Sequence, residues 1–481
     1  MKNSTRYFLS RLTTRLGIAA FYSSMHPRPA GCDMPQEQKQ TPAACVASTH
    51  RKAAQGFLSG GTAGWKTTGK GVSEMTFAFS ERTRVNTLVL REAGSHIRHF
   101  ALECWQAGAW QRFYESDKVE RYRYCSFPAQ ESMKYRLLIL ETWGAAKLTE
   151  CSFYDLSKQR RETPFRVSAY LRFDTEQFLS MTQEERDRFS QHFETVNEVI
   201  LFDTLKWSRD GGVWFNYRDE TQTNDEAKQA WLANAAAARK VIEKSGSPVK
   251  VLASFFQPGE GTVESLENHT DALTDALVQF LCEAGLDGIE FDWEYPKGKK
   301  EWALFSEFLV CLKAKLAPAE KTLAVALADW SVHLSPEAVR AIDQLSYMAY
   351  DIIDLNGYHS SFGRAAVRAV EYAEKCGFQR GQINLGLPYY GRPTYTGEYW
   401  PSWDDAKVGY WQNYDPHIVY NGIEMDAYYN CPGMVADKTA FALQMGLGGM
   451  MIFPLNADRP KGHKMCLTDA IRRTIDDRVD A

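Results

Sequence analysis

The sequence predicts an α/β chain in two parts, a (β/α)8 TIM barrel over residues 165–478 preceded by an all-β sandwich over residues 51–156. Three observations predict it. Eight short apolar runs recur through the C-terminal part, most of them separated by stretches long enough for a helix. Residues 53–156 carry short alternating runs with turn signals and few helical periods. One of the C-terminal runs places an acid at every second position.

The barrel runs are 166–173, 197–204, 249–256, 286–294, 323–330, 344–351, 383–390 and 448–455. Helical stretches at 223–244, 299–316, 336–342 and 365–376 lie between them, and a further one at 265–284, stopped by Gly285, precedes the fourth run. Strands alternating with helices close into a parallel barrel, whose sites sit at the C-terminal ends of the strands. Glu294, Tyr350, Tyr390 and Phe453 fall at such ends.

The fourth run reads Asp287-Gly288-Ile289-Glu290-Phe291-Asp292-Trp293-Glu294-Tyr295-Pro296. A strand's period of two puts Glu290, Asp292 and Glu294 on one face and Ile289, Phe291 and Trp293 on the other. Three carboxylates this close, away from bulk water, cannot all ionise cheaply, so the group holds one or more protons near neutral pH. A proton on Glu294 suits a general acid. Asp292 then shares a proton with Glu290 or orients a group of the substrate. The competing readings are a solvated edge strand and a carboxylate cluster for a cation; the preceding helix and its Gly285 stop place the run in the βα series instead.

The run resembles the DxxDxDxE signature of glycoside hydrolase family 18, the chitinases and endo-β-N-acetylglucosaminidases, and Trp293, Tyr295 and Pro296 make it most like the chitinase form. Three further segments match in order. Ser346-Tyr347-Met348-Ala349-Tyr350-Asp351 resembles the family's Met-x-Tyr-Asp at strand six, Leu385-Gly386-Leu387-Pro388-Tyr389-Tyr390-Gly391-Arg392 its strand seven, and Gly448-Gly449-Met450-Met451-Ile452-Phe453 its strand eight.

The resemblance implies a retaining glycoside hydrolase that cleaves β-1,4 linkages at N-acetylglucosamine. In that mechanism the substrate's own 2-acetamido oxygen attacks the anomeric carbon and forms an oxazolinium intermediate. Glu294 protonates the leaving oxygen and then acts as base, Asp292 holds the acetamide N–H, Tyr350 donates to its carbonyl oxygen, and Glu290 completes the catalytic set. Asp287 and Gly288 support the signature. Tyr170 and Phe202 match aromatic positions near the reacting sugar, while Asp351, Tyr390, Arg392 and Phe453 match positions lining the cleft. Trp330, at the end of the fifth run, is placed to stack on a sugar. No metal or organic cofactor is implied. Chitin or chitooligosaccharide is the leading substrate and the chitobiose core of N-glycans the alternative. A catalytically weak lectin is the reading of another class, and members of that kind typically lose the acid that Glu294 represents.

Two departures stand out. Glu290 occupies a position that is usually Asp, and Phe453 replaces the usual Trp. The smaller ring removes ~40–60 Å² of stacking face, on the order of 1 kcal/mol of sugar binding. Residues 394–447 are few for the insertion domain of many chitinases, which predicts a shallower cleft.

Ahead of the barrel, the runs 74–79, 85–91, 99–105, 121–127 and 135–141 have sandwich spacing. Trp65, residues 85–92 and 100–103, Trp110 and residues 135–141 resemble, in that order, the discoidin-type (coagulation factor 5/8 C-terminal) domains, a galactose-binding-like jelly roll. That resemblance implies a carbohydrate-binding module with a second sugar; the alternative is a sandwich that only packs on the barrel. Residues 157–164 read as a linker and residues 1–50 as a leader outside both folds.

A chain of 481 residues, 44% hydrophobic and 24% charged, buries ample core. With a net charge of −4 and no long basic run, nucleic acid is excluded as a main partner. No stretch approaches the ~18 apolar residues of an integral membrane span. Lys2, Arg6, Arg11, Arg15 and Arg28 precede the first acid, Asp33, around an apolar stretch at 16–22, so export is expected, to a secreted, periplasmic or lipid-anchored state. Pro29-Ala30-Gly31-Cys32 resembles a lipoprotein cleavage box, and an organelle transit peptide is the alternative. The ten cysteines and ten histidines show no ligand spacing, which argues against zinc.

Overall fold

The computed structural model describes residues 34–50, 64–172, 177–216, 221–256, 261–328, 332–352, 359–393, 401–403, 409, 417–420 and 423–480. Its N-terminal part is antiparallel. Strands β1 (Lys39–Gln40), β2 (Ala44–Ala47), β3 (Trp65–Lys66), β4 (Ser73–Glu92), β5 (Ile97–Gln106), β6 (Ala109–Asp117), β7 (Arg123–Thr142) and β8 (Lys147–Tyr154) form one sheet in the order β1-β8-β4-β7-β5-β6, with β2 on β4 and β3 on β8. Its core contains Trp65, Met75, Phe77, Leu88, Phe100, Tyr135, Leu137 and Phe153.

The runs expected at 74–79 and 85–91 are a single strand, β4, and those at 121–127 and 135–141 are parts of β7. No Gly or Pro interrupts β4, so the strand runs on through its polar middle: residues 79–82 fall in a register shift, and pairing with β7 resumes at Thr83 opposite Ser132. Pro128 of β7 lies opposite one of these shifts, where a strand tolerates a missing donor.

The predicted leader boundary at 50 is corrected. β1 pairs with β8 and β2 with β4, and Cys45 and Ala47 turn inward by alternation, so the N-terminal fold already includes these residues. The expected linker is pinned: Gln159 N–H donates to Arg478 O at 2.8 Å, and its side chain donates to Gln444 Oε1 at 3.0 Å.

The barrel strands are β9 (Arg166–Arg172), β10 (Glu198–Trp207), β12 (Lys250–Phe256), β13 (Gly288–Asp292), β14 (Thr322–Leu327), β15 (Gln344–Tyr347), β16 (Ile383–Pro388) and β20 (Gly449–Phe453). They run parallel in that cyclic order, and β9 closes the ring by pairing with both β10 and β20. A short β11 (Val213–Trp214) folds back on β10. Between β16 and β20 lies a small antiparallel sheet of β17 (Arg392–Pro393), β18 (His417–Tyr420) and β19 (Ile423–Tyr428), so this segment, expected to lack an insertion domain, still carries a three-stranded addition.

The helices are α1 (Gln177–Ser180), α2 (Gln183–Ser190), α3 (Asn224–Glu243), α4 (Thr262–Asn268), α5 (Thr270–Glu283), α6 (Gly298–Leu316), α7 (Pro336–Ala341), α8 (Arg368–Lys375), α9 (Pro432–Gln444) and α10 (Leu467–Arg478). Thr223 starts α3 through a capping box with Glu226. The stretch predicted at 265–284 is split between α4 and α5 at His269. Among the described residues no helix is long and apolar enough to cross a membrane.

Strand alternation sorts the barrel into two cores. Ile289, Phe291 and Trp293 face the helices. Tyr170, Ile200, Leu252, Ala324, Ala326, Met348, Tyr350, Tyr390 and Met451 fill the interior. Small residues make room for the large ones: a Cβ on Gly386 would sit 2.4 Å from Tyr347 O and 3.0 Å from Tyr350 Cε1. Towards the N-terminal end the filling is polar. Arg166 donates to Asn384 (3.0 Å), Asn384 to Gln344 (3.1 Å), and Gln344 to Glu198 (2.8 Å), which also accepts from Ser168.

The two parts meet across a buried polar junction. Arg123 of β7 donates to Asp437 of α9 at 2.6 Å, as does Tyr114 at 2.6 Å, and Asp437 also accepts from Ser126 N–H at 2.7 Å. Arg478 of α10 reaches Asn86 O and Ser126 Oγ. Glu120 accepts from Ser361 Oγ at 2.9 Å and Gly363 N–H at 2.8 Å, in the chain leading from β15 to α8.

Candidate active site

β13 delivers the acids. Its register with β12 and β14 turns Glu290 and Asp292 into the barrel, both buried, while Glu294 lies two residues past the strand end and reaches solvent. Glu290 is held on both oxygens: the Tyr170 hydroxyl donates to Oε1, and Ser346 Oγ donates to Oε2 at 2.5 Å. Burial pushes Glu290 up to about 7; the two hydroxyl donors work against this and the Glu198 charge adds to it. Glu290 therefore changes protonation near neutral pH.

Glu294 is raised above the ordinary carboxyl range, first by desolvation, then by the charge of Asp351, and its hydrogen bond with Asp292 opposes the rise. These are the conditions for a carboxyl that keeps a proton at the C-terminal end of the barrel strands. Tyr350 is buried at the same end, and burial followed by the charge of Asp292 raises its phenol, so it remains an O–H donor. The oxygen's recorded contact is a weak one, to Met451 Sδ at 3.8 Å.

Asp351 sits at φ +59°, in the left-handed region that an Asp tolerates better than most residues. It accepts from Tyr390 Oη at 2.8 Å and pairs with Arg392 Nε at 3.3 Å, and its own N–H donates to His359 Nε2 at 2.9 Å. Burial raises Asp351, with Arg392 and Tyr390 pulling it back. Burial also holds His359 well below the usual imidazole range, so a neutral ring with Nε2 as acceptor stands behind the Asp351 backbone.

Aromatic rings surround these groups. Phe453 stacks on Tyr350 with centroids 5.8 Å apart and planes at 20°, and meets Tyr170, Phe202 and Tyr390 at 5.6, 5.2 and 6.1 Å. Tyr170 and Tyr390 are buried, whereas Phe202 and Phe453 keep part of their surface.

Ten of the expected residues thus gather at one barrel end: Glu290, Asp292, Glu294, Tyr350, Asp351, Tyr390, Arg392, Phe453, Tyr170 and Phe202. Asp287 and Gly288 lie at the opposite end of β13. There Asp287 Oδ2 accepts from Val251 N–H at 2.8 Å, and Gly288 lets the Thr322 backbone approach. Trp330 lies outside the described residues. Sequence reasoning missed Ser346, Glu198 and His359. The first two follow from inward alternation on β15 and β10; His359 lies on a chain segment with no period or motif to reveal its contact.

The family model for glycosyl hydrolases family 18 matches residues 215–458, just over half of the chain. A Penicillium expansum protein named probable chitinase LysM11 is 23% identical over 259 residues, covering 44% of this chain and 23% of its own length. The killer toxin subunits alpha/beta of Kluyveromyces lactis are 24% identical over 201 residues, covering 37% of this chain and 17% of their own. The chain thus spans less than a quarter of each of these relatives. Among solved structures, catalytic domain 2 of the Ostrinia furnacalis Group II chitinase superposes with a TM-score of 0.50 at 17% identity, covering 65% of this chain and 96% of that one. The Ostrinia furnacalis Group IV chitinase gives 0.50 at 13% identity, covering 65% and 100%. These two likenesses are of fold. The extent of the family match, on a closed barrel with its acids gathered at one strand end, establishes that the chain belongs to glycosyl hydrolases family 18.

Proposed function

We propose that the chain is a retaining glycoside hydrolase that cleaves β-1,4 linkages of chitin or chitooligosaccharides by substrate-assisted catalysis. The observation that carries this reading is the placement of Glu294: a carboxyl that reaches solvent two residues past the end of β13, hydrogen-bonded to a buried Asp292. A glycosidase needs an acid for the leaving oxygen and a nucleophile at the anomeric carbon. Glu294 supplies the first. The substrate's acetamide oxygen supplies the second, with Asp292 accepting from the acetamide N–H and Tyr350 donating to the acetamide oxygen. As the leaving group departs, Glu294 becomes a carboxylate and takes a proton from the water that opens the oxazolinium. Holding the acetamide in line draws on an intramolecular advantage of roughly 7–11 kcal/mol.

Tyr390, Arg392 and Asp351 border the sugar at the −1 position in this reading, and Phe453 floors it. A second substrate, the chitobiose core of N-glycans, is favoured by one observation, the smaller Phe453 ring, which relaxes the demand for a tightly stacked chitin unit. Retention of Glu294 weighs against a lectin. The expected leader fits export. The second sugar implied for the N-terminal sheet would stack on Trp105 and Trp110, an edge-to-face pair at 5.4 Å on the β5–β6 hairpin with Trp105 exposed. Weaker retention of Trp105→Ala on insoluble chitin tests that part.

Mass-spectrometric product analysis of chitohexaose and a high-mannose glycopeptide, each incubated with the parent chain and with Glu294→Gln, tests the main reading. Shortened chitooligosaccharides from the parent alone support it. Intact substrates in every tube, with sugar binding retained, would establish a lectin in its place.

A further inference from the structure

We propose a second site on the outer side of the barrel, where His192, Asp458 and Cys466 form a binding site for a zinc-type divalent cation. His192 lies on the 3-10 turn Gln191–Glu194 after α2, Asp458 follows the turn Leu455–Ala457 beyond Phe453, and Cys466 is the N-cap of α10. One ligand atom from each lies within 4.8 Å of the other two. Asp458 Oδ2 is 3.4 Å from Cys466 Sγ and 3.9 Å from His192 Nδ1. Zinc bonds of roughly 2.0–2.3 Å in a tetrahedron set ligand atoms roughly 3.3–3.7 Å apart, so closing on an ion takes a shift of about 1 Å or less.

His192 is the independent sign of a ligand. It is 3% exposed, yet its Nδ1 is buried without a hydrogen-bond partner among the described residues, against the rule that buried polar atoms are satisfied. A cavity of about 410 Å³, with His192, Asp458, Met181 and Phe189 on its wall, gives an ion a way in and leaves a fourth position for water.

The exchange balances. Asp458 accepts from the N–H groups of Arg459, Leu467 and Thr468, from Thr468 Oγ1 and from the Cys466 thiol. The ion takes the place of the thiol proton, which leaves to solvent, and the sulfur lone pair it frees forms the metal bond. The Asp469 N–H, already on Sγ at 3.4 Å, supports the thiolate. Two positive charges then face one thiolate and one carboxylate. The bound ion ties the turn after α2 to the chain between Phe453 and α10, a structural staple beside the last barrel strand. Positions 192, 458 and 466 form no motif, so only the fold brings them together.

Cobalt titration of the chelator-treated, tag-free full chain tests the proposal. The expected result is one cobalt per chain with a near-ultraviolet thiolate-to-cobalt band, absent in Cys466→Ser and at least about tenfold weaker in affinity in His192→Ala. Absence of the band at saturating cobalt, or undiminished affinity in His192→Ala, overturns it. His192→Ala reads the same site through a second side chain, and among the described residues no other free thiol neighbours His192 in the cluster, so the answer stands even if Cys466→Ser fails to fold.

Discussion

At the scale of the residue, the site is a set of carboxyls sorted by their surroundings. Glu294 must be protonated to act as acid, so activity should fall as pH rises through its raised pKa. The Asp351 charge contributes to that rise. Asp351→Asn should therefore lower the Glu294 pKa and move the alkaline limb of kcat to lower pH, as a pH–rate profile on chitooligosaccharide would register; an unmoved limb would show that the two carboxyls are uncoupled. Glu290 carries a stability prediction. Its folded pKa of about 7 exceeds the ordinary 4.5, so the folded state binds more protons between those values and stability falls as pH rises through that window. The loss is on the order of 3 kcal/mol by the end of the window. Glu290→Gln, which cannot ionise, should gain stability relative to the parent at pH 8 and lose that gain near pH 4, as denaturant melts at both pH values would show. The acids at 290, 292 and 294 were legible from alternation alone. His359 was not, because its bond to the Asp351 backbone is a tertiary contact that no local pattern encodes.

At the scale of the element, the barrel strands were legible because each is a short apolar run with polar or Gly/Pro flanks, and all eight runs overlap the strands found. The N-terminal strands were harder to read. Polar residues in the middle of β4 look like a turn, yet the strand runs past them and pairing with β7 resumes at Thr83, a tertiary outcome that local composition does not encode. Gly386 shows how an element sets the site. It lies on β16 against the Tyr347 carbonyl and the Tyr350 ring, so Gly386→Ala forces the strand or the ring to move. A loss of about 1–3 kcal/mol is expected by analogy with overpacked cores. Activity should drop beyond what the thermal midpoint explains where the Tyr350 ring is what moves; parallel melting and kinetic measurements would separate the two, and unchanged kcat would show that the strand yields and the ring keeps its place.

At the scale of the whole molecule, the N-terminal sheet and the barrel share a buried charge pair. Arg123 and Asp437, both essentially without exposure, come from opposite sides of the junction. Removing one partner of such a pair leaves a buried charge uncompensated and costs about 3–5 kcal/mol. Asp437→Ala should lower the midpoint of the full chain, and the parent should unfold in one calorimetric transition; two independent transitions would show that the junction does not couple the parts. The sequence could propose two domains but not their union, since Arg123 and Asp437 are far apart in the chain and neither sits in a motif. The same distance hid Glu120, whose carboxylate holds the segment that carries His359. The central claim, that Glu294 drives hydrolysis through the substrate's acetamide, is tested most directly by proton NMR of the first products formed from chitohexaose. The parent should release the β-anomer and Glu294→Gln should release nothing, the acid being worth at least about a hundredfold. Initial release of the α-anomer, or parent-like turnover by Glu294→Gln, would contradict the account.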